Sequence, residues 1–447
     1  MNINKSYYFE NLKISLPVIL SFAGQSIVQM ADTIMVGRLG ATPLAAVSLS
    51  CSIITNITVI GIGIAMALTP LVGIEYVKHN HNENSKLFQN SILLNLLVAL
   101  FSIGLLLIIN PLLKYMGQPQ EVLDILDGYY YWTTMSLFPY LLFLGFKQFM
   151  EGVGNTLISM LITVGCNVLN IFLNFGLIFG YMGFPQLGAE GAGVATFISR
   201  LLMPIAFFLI IITNKKYSFY IKSFAISKTS FAKQWQIFKI GFPIATQMTL
   251  ELFSLTSITI MMGIFGTKTL AANQIVQTMI GFSFMISNGV ASASTILVSH
   301  DYGKNNVSEI KKHTYSGIHI GIIIMAFFAL LYAFGGKFIA VIFTSDVQVI
   351  EITAKLFIVV AFFQIFDGIQ VTALGALRGL TEVKRPMYYA FISYILIAIP
   401  MAYIMAFALN FGAQGVMAGF SFGLISASFL FIRRFRRIVN SLSKKSL

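Results

Sequence analysis

Apolar runs recur along this chain, several near the ~20 residues that cross a bilayer, and they leave it little choice but a bundle of membrane helices. Twelve such segments lie at roughly 14–36, 45–73, 88–112, 129–150, 157–181, 190–213, 238–264, 271–299, 314–334, 351–376, 386–409 and 413–433. None shows the strand-like alternation of a membrane barrel. Only 10% of the chain is charged and its mean hydropathy is +0.82, whereas a soluble domain carries about 25% charged residues. The expected class is an all-α polytopic membrane protein with twelve transmembrane helices. The first run has no small-residue cleavage site behind a short apolar core, so it reads as a retained helix rather than a signal peptide.

The net charge of +13 does not point to nucleic acid, because the basic residues sit between the apolar runs. Placing the N-terminus in the cytoplasm puts 23 of the 29 lysines and arginines on that side. The excess of Lys and Arg marks the cytoplasmic face, so both termini are expected there. The opposite side holds five, and Arg200 falls within a span. Cys51 and Cys166 both lie in apolar runs and read as small core residues rather than a disulfide pair.

The chain repeats itself. SLPVILSFAGQSIVQMADTIMVGRLGATPLAA from Ser15 aligns without a gap with GFPIATQMTLELFSLTSITIMMGIFGTKTLAA from Gly241. Pro17 meets Pro243, Gly37 meets Gly263, Gly40 meets Gly266, and Ala45-Ala46 meets Ala271-Ala272. GAEGAG from Gly188 is echoed by GAQGVM from Gly412. Duplication predicts two pseudo-symmetric six-helix bundles, an architecture suited to alternating access. The expected division is a lobe at 1–213, a cytoplasmic linker at 214–237, a second lobe at 238–433 and a basic cytoplasmic tail at 434–447.

Three carboxylates fall inside spans: Asp32, Glu251 and Asp367. A charged acid at the bilayer centre costs ~2.5–3.5 kcal/mol on insertion scales, so each needs a partner, a proton, a cation or water. In the fifth span Asn167, Asn170 and Asn174 recur at i, i+3 and i+7 and share one helical face. A carboxylate with two amide oxygens is a hard, oxygen-only set that suits a hard cation, including Na⁺. The same carboxylate could hold a proton, and the sequence leaves both open. Gln25, Gln29, Gln274 and Gln277 are further polar residues in spans. There is no GxxxxGK[ST] phosphate loop, the five histidines have no HExxH spacing, and no nucleophile motif stands out. An enzyme is not expected, nor is any cofactor.

Three stretches together resemble the multidrug and toxic compound extrusion (MATE) family. They are the proline-to-DTIMVGRLG segment of the first span, the asparagine stripe followed by FPQLGAEGAGVAT, and DGIQVTALGALRGLTEVKRP. With Glu251 in the seventh span and Asp367 in the tenth, the chain looks most like the NorM-type branch. The resemblance implies a V-shaped pair of lobes around a central cavity, working as a monomer in a prokaryotic inner membrane. It implies a secondary antiporter that exports cationic amphiphilic drugs in exchange for Na⁺ or H⁺, and hence antibiotic resistance. It makes Asp32 the N-lobe carboxylate, with Asn170 and Asn174 as amide partners (a candidate Na⁺ set) and Thr196 as a hydroxyl. Glu251 and Asp367 become the C-lobe acids, and Gln25, Gln274 and Phe363 the cavity lining. Some NorM-type members carry a tyrosine where this chain has Phe363, so the C-lobe set lacks that hydroxyl. The alternative is a lipid-linked oligosaccharide flippase of the same broad superfamily. Such proteins favour a cationic cavity, whereas this chain keeps acids in its spans.

Overall fold

The computed structural model describes residues 3–117, 119–223 and 229–445. Among them every regular element is helical. Residues 224–228 of the expected linker and 446–447 of the expected tail lie outside the described residues. The first part of the chain forms α1 (Lys5–Gly37), α2 (Ala41–Ala65), α3 (Leu68–Val77), α4 (His81–Ile109), α5 (Gln120–Met135), α6 (Leu137–Gly152), α7 (Thr156–Phe179), α8 (Ala189–Thr213) and α9 (Ser218–Lys222). Then follow α10 (Phe231–Ile264), α11 (Thr267–Gly303), α12 (Val307–Phe343), α13 (Val347–Gly379), α14 (Lys384–Ala390), α15 (Ile399–Tyr403) and α16 (Gly412–Lys445).

Eleven helical stretches among the described residues are long and apolar enough to cross a membrane. The remaining expected span, the fourth at 129–150, falls across α5 and α6, two 16-residue helices that meet at Ser136. Pro139 explains the break: it has no N–H for the carbonyl one turn back, and its ring crowds that turn. Pro400 acts similarly in the eleventh span, where wide π-helical turns at Phe391–Ala398 and Ile404–Ala408 flank α15. The basic tail is no separate segment. It is the end of α16, with Phe435 and Val439 still buried.

The chain divides into two compact units, Leu20–Ala245 and Met1–Ile19 with Thr246–Leu447. The division therefore falls inside α1 and α10, not at the 214–237 connection. Ile19 and Ala245 are equivalent positions of the ungapped repeat, so the two halves exchange the beginnings of their first helices symmetrically. The packing repeats too. In the first unit Gly63 of α2 lies so close to α10 that a Cβ there would stand 2.3 Å from the Ala245 Cα. In the second, a Cβ on the repeat-equivalent Gly289 would stand 2.9 Å from the Ile19 N. Only a residue without a side chain permits that approach. Gly63→Ala is expected to destabilise the protein by about 1–3 kcal/mol, the usual cost of overpacking. Gly104→Ala, where a Cβ meets nothing within 4 Å, should not. Thermal melts of both variants in detergent check this.

Duplication also shows in the backbone. Gly40 and Gly266, which precede α2 and α11, have φ of 126° and 102°. Both lie in the region that glycine alone enters freely. Gly188 and Gly412, at the starts of α8 and α16, have φ of 59° and 58°. The side chains are sorted inside-out relative to a water-soluble protein. Phe101, Phe334 and Phe338 are largely exposed, while Asn90, Asn95, Asn174 and Gln364 are buried. Lipid makes that arrangement favourable, since polar groups must pair internally and apolar ones need not hide. Of the cysteines, both are free; Cys166 is buried as expected, but Cys51 is exposed.

Outside the spans, Asp346 caps α13 by accepting from the Gln348 and Val349 amides. The Lys268 ammonium, 3.1 Å away, and then these amides hold its carboxyl below the usual carboxylate value. A depressed carboxylate stabilises the fold above its unfolded pKa and loses that contribution as pH falls.

Candidate cation and proton sites

In the Leu20–Ala245 unit, α7 lays its asparagine stripe along α1. Asn167 comes within reach of Gly24, where a Cβ would stand 3.3 Å from its Nδ2. Two turns further on, Asn174 reaches Asp32 and its Nδ2 donates to Oδ1 of that carboxylate. The same amide donates to Asn170 Oδ1 at 3.0 Å, and Asn170 Nδ2 donates to Ser199 Oγ at 3.1 Å. Ser199 in turn donates to the Thr196 carbonyl at 3.0 Å. Donation therefore runs outward from Asn174 both ways, to a half-buried carboxylate on α1 and through Asn170 to Ser199 on α8. Thr196, expected to supply a hydroxyl, is half-buried one turn earlier, and the hydroxyl that the chain reaches belongs to Ser199. Asn174 Oδ1 is buried without a hydrogen-bond partner. Buried acceptors are seldom left so, and this one belongs to the residue that holds Asp32.

Arg200 completes the first set. It acts electrostatically on Asp32, yet its Nη1 donates to Ser136 Oγ at 2.8 Å. Its guanidinium also lies 4.6 Å from the Tyr140 ring centroid, a cation–π contact. The α5–α6 break thus holds a base that the sequence places inside a span.

The second set lies in the other unit. Glu251 on α10 accepts from Gln247 Nε2 at 3.4 Å, and Gln247 Oε1 accepts from Arg378 Nη2 at 2.6 Å. Arg378 also acts on Glu251 through space. Asp367 on α13 is buried, and the charge of Glu251 acts on it. Tyr394, in the wide turn ahead of Pro400, faces Glu251 and accepts from Gln370 Nε2 at 2.5 Å. A tyrosine hydroxyl is therefore present, supplied by another helix than the one that carries Phe363. Phe363, expected at the substrate cavity, is 1% exposed and packs edge-on against Phe420 with centroids 5.9 Å apart. It is a core residue. Gln25 is half-buried and Gln274 exposed.

Sequence reasoning missed Ser136, Ser199, Gln247, Arg378 and Tyr394. Arg378 follows the expected tenth span, yet it lies in the last turn of α13 with its side chain buried. Chemically, each set gathers amide and hydroxyl groups around an acid, with a hydrogen-bonded guanidinium nearby. In the first set Arg200 acts on Asp32; in the second Arg378 acts on Glu251, whose charge acts in turn on Asp367.

The MatE family profile matches residues 17–175 and 243–404, once in each half of the repeat. A probable multidrug resistance protein NorM from Pasteurella multocida is 31% identical over 439 residues, covering 96% of this chain and 93% of that protein. One of the same name from Rhizobium meliloti is 28% identical, covering 98% and 95%. The fold matches the crystal structure of the Vibrio cholerae MATE transporter VcmN in the bent form, with a TM-score of 0.85, 19% identity and 98% of each chain covered. It also matches a eukaryotic MATE transporter with a TM-score of 0.87, 19% identity and 99% of each chain covered.

Proposed function

The chain belongs to the MATE family of multi-pass membrane transporters, in its NorM-type branch, and from that premise we propose that it exports cationic amphiphilic drugs in exchange for Na⁺ or H⁺. It is a transporter and not an enzyme. Its place is the inner membrane of a prokaryote, with both termini in the cytoplasm, as the basic-residue bias supports.

One observation carries the reading: Asn174 Oδ1 is left unpaired beside the Asp32 carboxylate. A hard cation would be bound by both oxygens, and a protonated Asp32 would donate to the open one. The residues present therefore suit either coupling ion. The mechanism is competition for negative charge. From the outside, Na⁺ or H⁺ reaches Asp32 and the Glu251–Asp367 pair and neutralises them. Loss of that charge weakens the hold on a cationic drug, which leaves. When the transporter opens inward the ion departs, the acids recover their charge and a drug reloads. The ion drives the change only by binding one state better than the other. Gln25 and Gln274 offer the drug polar contacts on the way.

Expression in a bacterium stripped of its own efflux pumps tests this. Resistance to cationic dyes such as ethidium should rise several-fold, and resistance to anionic compounds of similar size should not. Equal protection against both would contradict a site built on carboxylates.

A further inference from the structure

The end of the second unit that holds the chain's N-terminus carries a cluster that the transport sites do not use. His313, on the second turn of α12, is buried. Its Nδ1 lies 2.6 Å from Asp301 Oδ2 on α11, and its Nε2 lies 3.2 Å from Glu10 Oε2 on α1. Both ring nitrogens thus face carboxylate oxygens. A neutral imidazole has one N–H and one lone pair, so it can satisfy only one of them. Two hydrogen bonds require a second proton, either on the ring or on one of the carboxyls. Whichever atom carries it, the three groups together hold one proton more than a neutral histidine and two carboxylates would.

We propose that His313, Asp301 and Glu10 form a proton-binding site that latches the start of α1 onto α11 and α12. The same three elements supply the other charged groups around it. Tyr7 on α1 donates to Glu309 at 2.9 Å and stacks edge-on against His313 at 5.1 Å. Lys312 donates to Tyr7 at 3.1 Å and stands 3.8 Å from Glu309, while Lys304 acts on Asp301 through space. Tyrosine and lysine titrate near pH 10 and an exposed glutamate near 4. His319, also on α12, lies 2.8 Å from the Tyr8 hydroxyl of α1, so a pH step in α1 is assigned to the shared proton by its loss in a Glu10 variant and not by the wild-type profile alone. The arrangement also favours a proton over a metal ion. Asp301, Glu309 and His313 come close enough to share an ion, but both ring nitrogens are spent on carboxylates and Glu309 on Tyr7 and Lys312.

The two ties are unequal. The side chain of Asp301 is 7% exposed and that of Glu10 47%. When the proton leaves, the carboxylate that can turn to water is Glu10, so the tie that breaks is the one to α1. Asn11, which donates to Ser316 Oγ at 2.7 Å, and Tyr7 still hold the helix, which loosens rather than detaches. α1 is also the helix that carries Asp32, so the latch sits on an element of the transport machinery. Which compartment supplies the proton rests on the orientation proposed above.

Hydrogen–deuterium exchange of residues 5–13, in the full chain in nanodiscs with both faces open, tests the latch independently of orientation and of transport. With intrinsic rates corrected, protection should fall about tenfold between about pH 6 and about pH 9, the loss of one charged hydrogen bond. In Glu10→Gln the side chain both donates and accepts, so it pairs with either ring state; protection should persist and the pH step should vanish. His313→Asn should be weakly protected at both pH values. A flat wild-type profile, or a step that survives in Glu10→Gln, overturns the proposal.

Discussion

Asp32→Asn should reduce ion-driven drug efflux to the level of empty vesicles while leaving the protein folded. The substitution keeps an oxygen for Asn174 Nδ2 to reach, so the chain through Asn170 and Ser199 survives in outline. What it removes is the ability to gain or lose charge. An amide cannot be neutralised by a proton or a cation, and the competition that releases the drug has no switch in this unit. Arg200 loses the acid it acts on but keeps Ser136 and Tyr140, so the melting temperature should change little. Everted vesicles loaded with a fluorescent cation measure the first expectation, and a detergent melt the second. Wild-type efflux in this variant would remove Asp32 from the mechanism.

Glu251→Gln should also abolish coupled transport, but with a structural cost that Asp32→Asn avoids. Arg378 is buried, and its Nε has no hydrogen-bond partner. Glu251 is the nearer balance for its charge, through Gln247 and through space. Removing that charge leaves a buried guanidinium with Asp367 as the remaining acid of the set. Stability should drop by about 1–3 kcal/mol, the range for an uncompensated buried polar group. Adding Arg378→Gln should recover much of that loss, because the unbalanced charge then disappears, while transport stays absent. Denaturation of the two single variants and the double variant gives the coupling energy. Additive effects would mean that Arg378 is not balanced by Glu251.

The acids and the asparagine stripe were legible because a charge or a row of amides inside an apolar run has no lipid-facing explanation. The repeat was legible because prolines and glycines mark backbone positions that both halves need. Arg378 stood in plain sight, yet only its burial against Gln247 shows it to be internal rather than a loop charge. The break at Ser136 could have been suspected from Pro139, three residues on. That this break would receive Arg200 depends on how α8 packs, which no local pattern encodes. Tyr394 is similar: the hydroxyl sought near Phe363 comes from the next span along the chain, through turns widened around Pro400. The symmetric exchange at Ile19 and Ala245 escaped notice because a continuous apolar helix gives no sign of where it changes company.

The central claim is that an ion gradient drives drug export through these carboxylates. Purified protein in proteoliposomes, given an imposed Na⁺ gradient or an imposed pH gradient with all else equal, tests it most directly. One of the two gradients should drive a cationic dye against its own concentration, lose that effect when an ionophore collapses the gradient, and fail entirely with Asp32→Asn. Dye movement that persists without either gradient, or that is unchanged in Asp32→Asn, would contradict the account.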